Sequence, residues 1–513
     1  MEADTEAASS TTADTEPAVD PAAIEPETTP YGTRIHELAL ASPDEVALIF
    51  AAEDRTERHF TWAELDDRTT QVARALARRG LGVGDLLAMQ LKNSPELVFA
   101  TFAAWKLGAV PVPVRWDLPE WELGRLRAVI NAALVVDAAN FELFEESLSE
   151  STEVLPEVTA PHHSGICSSG STGSPKVILR KSPAVVTEGA PGALGIMESW
   201  GPISADQLIL TPGPIYHNNG FLTMSNLLSG YRVVLMERFR ADHMVDLIER
   251  HRVTGFTGAT PMFQRVAQLP DIGSRDFSSI EWTMQGAAVL PQWLARFWFD
   301  LIGPERFYMT YGSSEGAGVV ACRGDGWLEH PGTLGQPWTE TEIKILGPEG
   351  DQLPAGEIGE IYLRQADGIT HGYLGDVPPA PVTNDNFTTI GDLGWLDEEG
   401  WLYMADRRVD MIISGGANVF PAEVEAALSE HPGLADVVVI GLPDEEWGHR
   451  VHAIAQASSS DSVVTEREVI EFARSRLSPY KVPKTVEFVD RIPRSEATKV
   501  NRSALVAERV PAD

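Results

Sequence analysis

The chain has 513 residues, 43% hydrophobic and 8% aromatic, with a formal net charge of −35, which together imply a globular protein of two or more domains. The acidic balance excludes general nucleic-acid binding, which needs a basic footprint, and no apolar run approaches the ~18 residues that span a bilayer. Two cysteines, Cys167 and Cys322, are too few for a disulfide framework, and with no basic-then-apolar leader at the start a reduced, cytoplasmic protein is expected.

Residues 1–30 hold eight acids and neither Lys nor Arg. Dominated by Ala, Thr, Pro and Glu, they bury too little apolar surface to offset ordering and read as a disordered acidic tail. From residue 31 helices and strands alternate. Thr61 is placed to cap a helix over "WAELDDRTTQVARALAR", with Leu65, Val72 and Leu76 on its apolar stripe and Gly80 ending it. "LLAMQL", "ELVFATFAAWKLG" and "AVPVPV" follow as strand, helix and strand, and that order recurs through "QLILTPGP", "GYRVVLM" and "HMVDLIERHRVTGFTGAT". Such units imply parallel, doubly wound sheets. Between 331 and 405, "EIKIL", "GEIGEIYLR" and "WLYMA" read as antiparallel strands. Pro421 suits the first turn of a helix, and the strands and helix after it make the last hundred or so residues a small α+β domain.

One stretch concentrates anion-binding chemistry. In "SSGSTGSPK", Ser168, Ser169, Ser171 and Thr172 offer hydroxyl donors, Gly170 and Gly173 let backbone approach an anion, and Lys176 adds a point charge. No Gly-Lys-Ser/Thr follows Gly170 at the spacing of a Walker A loop, and taken alone such a Ser/Gly stretch is more often a flexible linker. "GAGVVA" (Gly316–Ala321) formally fits a dinucleotide fingerprint but has "YGSSE" where a strand should precede it. His162-His163 has no neighbour to complete a metal site. Taken singly, Glu315, Asp392, Arg407 and Lys499 have ordinary surface roles as alternatives.

Taken in order, these stretches resemble the adenylate-forming superfamily of acyl-CoA synthetases, nonribosomal-peptide adenylation domains and beetle luciferases, over about residues 31–510. "SSGSTGSPK" is similar to that family's phosphate loop. "YGSSEG", from Tyr311 through Gly312, Ser313 and Ser314 to Glu315 and Gly316, resembles the motif whose Glu holds Mg²⁺ on ATP. "MQGAA" places Gly286, Ala287 and Ala288 at the adenine, "PGPIYHNNG" places His217 beside the acyl pocket, and "GDLGWLDEEGWLYMADR" supplies Asp392 and Arg407 for the ribose. "SGGANVFPAEVE" is similar to the mobile loop of a C-terminal domain, where Gly415 and Gly416 let pantetheine pass, and "PRSEATKVNR" places Lys499 at the catalytic lysine.

The resemblance implies an α/β fold. A large N-terminal AMP-binding domain, 31–407, of doubly wound sheets plus a small β-barrel, would precede a small mobile α+β lid, 408–513. It implies a stand-alone acyl-CoA ligase that uses ATP, releases AMP and needs Mg²⁺ and coenzyme A, with Lys499, His217 and Glu315 catalytic and Glu315 also the metal ligand. The small residues Gly286, Ala287 and Ala288 near Asn218 and Asn219 tilt the substrate towards a bulky apolar acid, and a homodimer stays open. Three positions depart from the family pattern. Thr498 stands where a Gly is usual, Val409 where the hinge usually has Asp or Lys, and Ser314 where Thr is usual. If the backbone at 498 takes a positive φ, a β-branched residue there costs about 1–3 kcal/mol. Two alternatives follow: an enzyme that only thioesterifies preformed acyl-AMP, and a non-catalytic AMP- or acyl-adenylate-binding protein.

Overall fold

The computed structural model describes residues 26–168, 176–286, 288–366, 371–375, 380–407, 410–414, 417–444, 447–458, 464–495 and 500–510, without the side chains of Ser168, Asp406 and Arg407. Most of the expected acidic tail lies outside these residues.

Apolar strands four to six residues long need both faces covered, and the chain covers them with helices. Six parallel strands form the centre of a nine-stranded sheet, in the order Phe307–Gly312, Trp282–Gly286, Gly255–Ala259, Leu208–Thr211, Arg232–Met236 and Val46–Ala51. Antiparallel strands finish both edges: Val319–Arg323 and Gln336–Pro337 at one, Glu57–Thr61 at the other. Alternate side chains of one strand enter different cores, as a pleated backbone requires. Leu48 and Phe50, with Val233 and Leu235, join the core that also holds Leu65, Val72, Leu76 and Phe99. Ile49, Val234 and Met236 face the opposite core, built around Phe256, Phe263, Trp298 and Phe307. A second parallel sheet of Val110–Pro113, Leu86–Met89 and Leu134–Val136 lies beside the first core.

The helix expected after Thr61 runs over Trp62–Arg78. Thr61 Oγ1 accepts from the Glu64 backbone N–H at 3.2 Å and Glu64 Oε2 accepts from the Thr61 N–H at 2.8 Å, a reciprocal cap. The region expected as a small barrel consists of two antiparallel sheets. One contains Glu342–Leu346, Gly359–Arg364, Asp392–Leu396 and Leu402–Arg407; the other contains His371–Leu374, Lys176–Arg180 and Gly165–Ser168. The segment Gly316–Ala321 leads into the antiparallel strand Val319–Arg323, not into a phosphate-binding helix.

Towards the C-terminus, Leu434–Asp444 and Gly448–Ala457 form a long hairpin, with Thr485–Phe488 parallel to its second strand. Helices Pro421–Leu428 and Glu466–Arg474 close a core of Val424, Leu428, Val439, Val451 and Val469. This unit touches the larger sheet region through Trp293, whose Nε1 donates to Ser429 Oγ at 3.1 Å, and Gln264, whose Nε2 donates to the Ala435 carbonyl at 3.1 Å. Among the described residues no helix is long and apolar enough to cross a membrane.

Candidate active site

The strand Phe307–Gly312 organises the site. Its Tyr311 is buried, and the hydroxyl donates to Oδ2 of Asp392 at 3.0 Å. Asp392 is itself 2% exposed. It opens the strand Asp392–Leu396 directly after Gly391, whose φ of +84° is open to glycine and strained for other residues. In the antiparallel register Asp392 lies opposite Arg407, so the two expected ribose contacts share one rung. A carboxylate this deeply buried is normally held for a purpose, because leaving water costs it several kcal/mol unless it is paired (order of magnitude).

Next to Phe307–Gly312 runs Trp282–Gly286, ending at the expected adenine contact. A side chain at Gly286 would meet Thr310 Oγ1 at 3.2 Å and Asn219 Nδ2 at 3.7 Å. Gly286 therefore brings its strand against both the Tyr311 strand and the segment that carries His217. Gln285 Nε2 donates to the Ala288 carbonyl at 2.6 Å. His217 stands at the N-terminus of the helix Asn218–Leu228, beside Tyr216 with ring centroids 4.7 Å apart.

Beyond Gly312 the chain turns: the Gly316 N–H donates to the Ser313 carbonyl at 3.0 Å. The turn presents Glu315 to the three-stranded sheet. Lys176, first residue of Lys176–Arg180, places Nζ 3.9 Å from Glu315 Oε1, and the Tyr373 hydroxyl donates to that oxygen at 3.2 Å. Lys176 Nζ also sits 4.9 Å from the centre of the Tyr373 ring, within cation–π range. Burial and then Glu315 push the Tyr373 phenol well above its ordinary range, so the hydroxyl keeps its proton and donates. Burial lowers the Arg180 guanidinium and the His371 imidazole, and the Glu315 charge opposes both shifts.

Among the described residues no group of three or more His, Cys, Asp or Glu gathers as a metal cage. Glu315 offers a hard-oxygen donor whose side chain is 12% exposed. That donor fits Mg²⁺, which is usually held by one or two carboxylates together with substrate phosphates and water.

The structure thus brings together Tyr311, Gly312, Ser313, Ser314, Glu315, Gly286, Asp392, Lys176 and the backbone of Arg407 and Ser168, with His217 on the adjoining segment. Ser169, Gly170, Ser171, Thr172, Gly173, Ala287, Val409, Gly415, Gly416, Thr498 and Lys499 lie outside the described residues. Sequence reasoning missed two residues. Tyr373 lies in none of the stretches singled out from the sequence, although alternation puts it on one strand face with His371. Asn93 pins the segment leading to His217: its Nδ2 donates to the Gly213 and Met236 carbonyls, each at 2.9 Å, and its Oδ1 accepts from the Ile215 N–H at 2.8 Å. A cavity of about 230 Å³, over the buried Lys106–Asp66 pair, shares no lining residue with this site.

Comparison with known proteins identifies the family. The AMP-binding enzyme family model matches residues 35–374, and the model for the AMP-binding enzyme C-terminal domain matches 423–499. A feruloyl-CoA synthase of Amycolatopsis sp is 31% identical, over 86% of this chain and 92% of its own. An indoleacetate–CoA ligase of Aromatoleum aromaticum is 30% identical, over 87% of this chain and 92% of its own. The o-succinylbenzoate CoA synthetase of Bacillus subtilis, solved with its acyl-adenylate intermediate, superposes with a TM-score of 0.78 at 28% identity, covering 93% of this chain and 98% of that one. The same synthetase has been solved with ATP and magnesium ion, again at a TM-score of 0.78, with 26% identity and cover of 93% and 100%. The family-model match over residues 35–374 and relatives of 30–31% identity that align over most of the chain lead to one conclusion: this chain belongs to the AMP-binding enzymes, the adenylate-forming superfamily.

Proposed function

We propose that this enzyme joins an aryl carboxylic acid to coenzyme A in two steps, through an acyl-adenylate and with release of AMP. The observation that carries the reading is that one strand and its turn serve two distant partners. Tyr311 reaches the buried Asp392, and Glu315, four residues on, reaches Lys176 at the mouth of the phosphate loop. A nucleotide laid along that edge would have its adenine at Gly286, its ribose at Asp392 and its phosphates at Lys176. The aryl class is supported by the acids named in the relatives, ferulate, indoleacetate and o-succinylbenzoate.

In the first step a carboxylate oxygen attacks the α-phosphorus of ATP and pyrophosphate leaves. Mg²⁺, when bound, would neutralise phosphate charge beside Glu315. Lys176 supplies positive charge at the loop, and the buried Asp392 accepts from the ribose hydroxyls and fixes the sugar. Lys499, at the position of the family's catalytic lysine, neutralises charge between the acid and the α-phosphate. A positioned group of this kind is worth roughly 10²–10³ in rate. In the second step the thiol of coenzyme A attacks the acyl carbon and AMP departs, with Gly415 and Gly416 lining the thiol's approach.

A second reading, thioesterification of supplied acyl-adenylate alone, rests on Thr498. One experiment separates them. Benzoates, hydroxycinnamates, aryl acetates and fatty acids are incubated with ATP, Mg²⁺ and coenzyme A, and acyl-AMP, pyrophosphate and acyl-CoA are measured separately. The proposal expects an aryl acid to give all three products. Acyl-CoA formed only from added acyl-AMP would transfer the assignment to the second reading, and turnover confined to fatty acids would overturn the aryl class.

A further inference from the structure

We infer that Tyr373 is the positioning residue of the magnesium–phosphate subsite, its hydroxyl orienting Glu315 and its ring seating Lys176. The inference rests on the proposed adenylation. It extends the site to a residue that lies in none of the stretches carrying the phosphate, ribose, adenine or lysine roles.

Three contacts meet at this one side chain. The hydroxyl donates to Glu315 Oε1 at 3.2 Å, the ring face lies 4.9 Å from Lys176 Nζ, and that Nζ lies 3.9 Å from the same carboxylate oxygen. The sheet enforces the arrangement. Tyr373 is paired with Ile178, and Ile178 shares a strand face with Lys176 two residues away, so a ring at 373 reaches the lysine diagonally across the pair. His371, on the same face as Tyr373, packs edge-on to its ring at 5.4 Å and limits its swing. Tyr373 thus restrains both charges that must act on the phosphates. Its hydroxyl fixes which oxygen of Glu315 is occupied, and its ring holds an ammonium beside that carboxylate. A cation arriving with the nucleotide meets a carboxylate whose direction is already set. Such outer partners of a metal-binding carboxylate commonly change metal affinity by 10–100-fold.

Two variants separate the two roles. Tyr373→Phe keeps the ring and loses the hydroxyl; Tyr373→Leu loses both. Binding of the non-hydrolysable analogue α,β-methylene-ATP is followed by calorimetry, first in EDTA and then across a Mg²⁺ titration. Melting temperatures are recorded alongside. The expected result for Tyr373→Phe is wild-type analogue affinity in EDTA, within about 2-fold, with the Mg²⁺ midpoint raised about 10-fold. Tyr373→Leu is expected to weaken the analogue in EDTA as well. A Mg²⁺ midpoint for Tyr373→Phe equal to wild type overturns the inference while leaving the adenylation reading intact. Equal weakening with and without Mg²⁺, accompanied by a lowered melting temperature, marks a merely structural role and also overturns it. Failure of the wild-type protein to bind the analogue under either condition removes the adenylation reading and this inference with it.

Discussion

Just before the strand Gly165–Ser168, a half-buried imidazole couples the fold to pH. His163 Nδ1 lies 3.0 Å from Ser164 Oγ, and the His163 carbonyl accepts from Trp105 Nε1 at 2.8 Å. Burial, with smaller contributions from Arg180 and His162, lowers the imidazole from its usual 6.5 to about 4. Between those values the unfolded chain binds more protons than the folded one. Stability from the neutral ring is therefore full above pH 6.5 and drains away as the pH falls towards 4. The whole loss amounts to roughly 3 kcal/mol. Urea unfolding at steps from pH 7.5 to 4.5 is expected to show a flatter pH dependence for His163→Gln than for wild type, whatever the absolute stabilities. Parallel curves would show that this ring does not titrate as described. From the sequence His162-His163 yielded only the lack of a neighbour to complete a metal site, because nothing local distinguishes a half-buried histidine from an exposed one.

At the scale of elements, periodicity and caps were readable and buried polar anchors were not. The helix Trp62–Arg78 was legible because Thr61 and Glu64 are spaced for a reciprocal cap and its apolar stripe recurs every three to four residues. The central parallel strands were legible as apolar runs between helical segments. Asn93 was not: it lies in "KNSPE", which reads as an ordinary turn ahead of the Ser94-capped helix Pro95–Lys106. Only the fold shows that its amide ties together backbone groups at Gly213, Ile215 and Met236, more than a hundred residues away. Gly220 completes that corner, since a Cβ there would sit 2.0 Å from the Pro214 carbonyl oxygen. Asn93→Ala removes the side-chain partner of three backbone groups, two of them buried, and is expected to cost about 3–5 kcal/mol. Because the loosened segment carries His217, KM for the acid should rise more than KM for ATP. Thermal unfolding and steady-state kinetics check both points; an unchanged melting temperature with both KM values intact would contradict them.

Across the whole molecule, the order of motifs carried the superfamily assignment, and the structure adds how they meet. The strand Phe307–Gly312, the turn at Glu315, the strand opening with Lys176 and the strand opening with Asp392 come from stretches spread over more than two hundred residues, yet close on one edge. The acid's identity was not legible, because acyl specificity depends on the shape of a pocket and not on a motif. Thr498 and Val409 remain sequence observations whose effect belongs to the adenylation assay above. The central claim is that these separated residues bind one nucleotide, and calorimetric titration of AMP and Mg·ATP into three proteins tests it most directly. Asp392→Asn should weaken AMP and Mg·ATP alike, by about 10–100-fold, because both carry the ribose. Glu315→Gln should weaken Mg·ATP by a similar factor and leave AMP near the wild-type affinity. Wild-type affinities for both ligands in both variants would contradict the account, as would wild-type protein that binds neither.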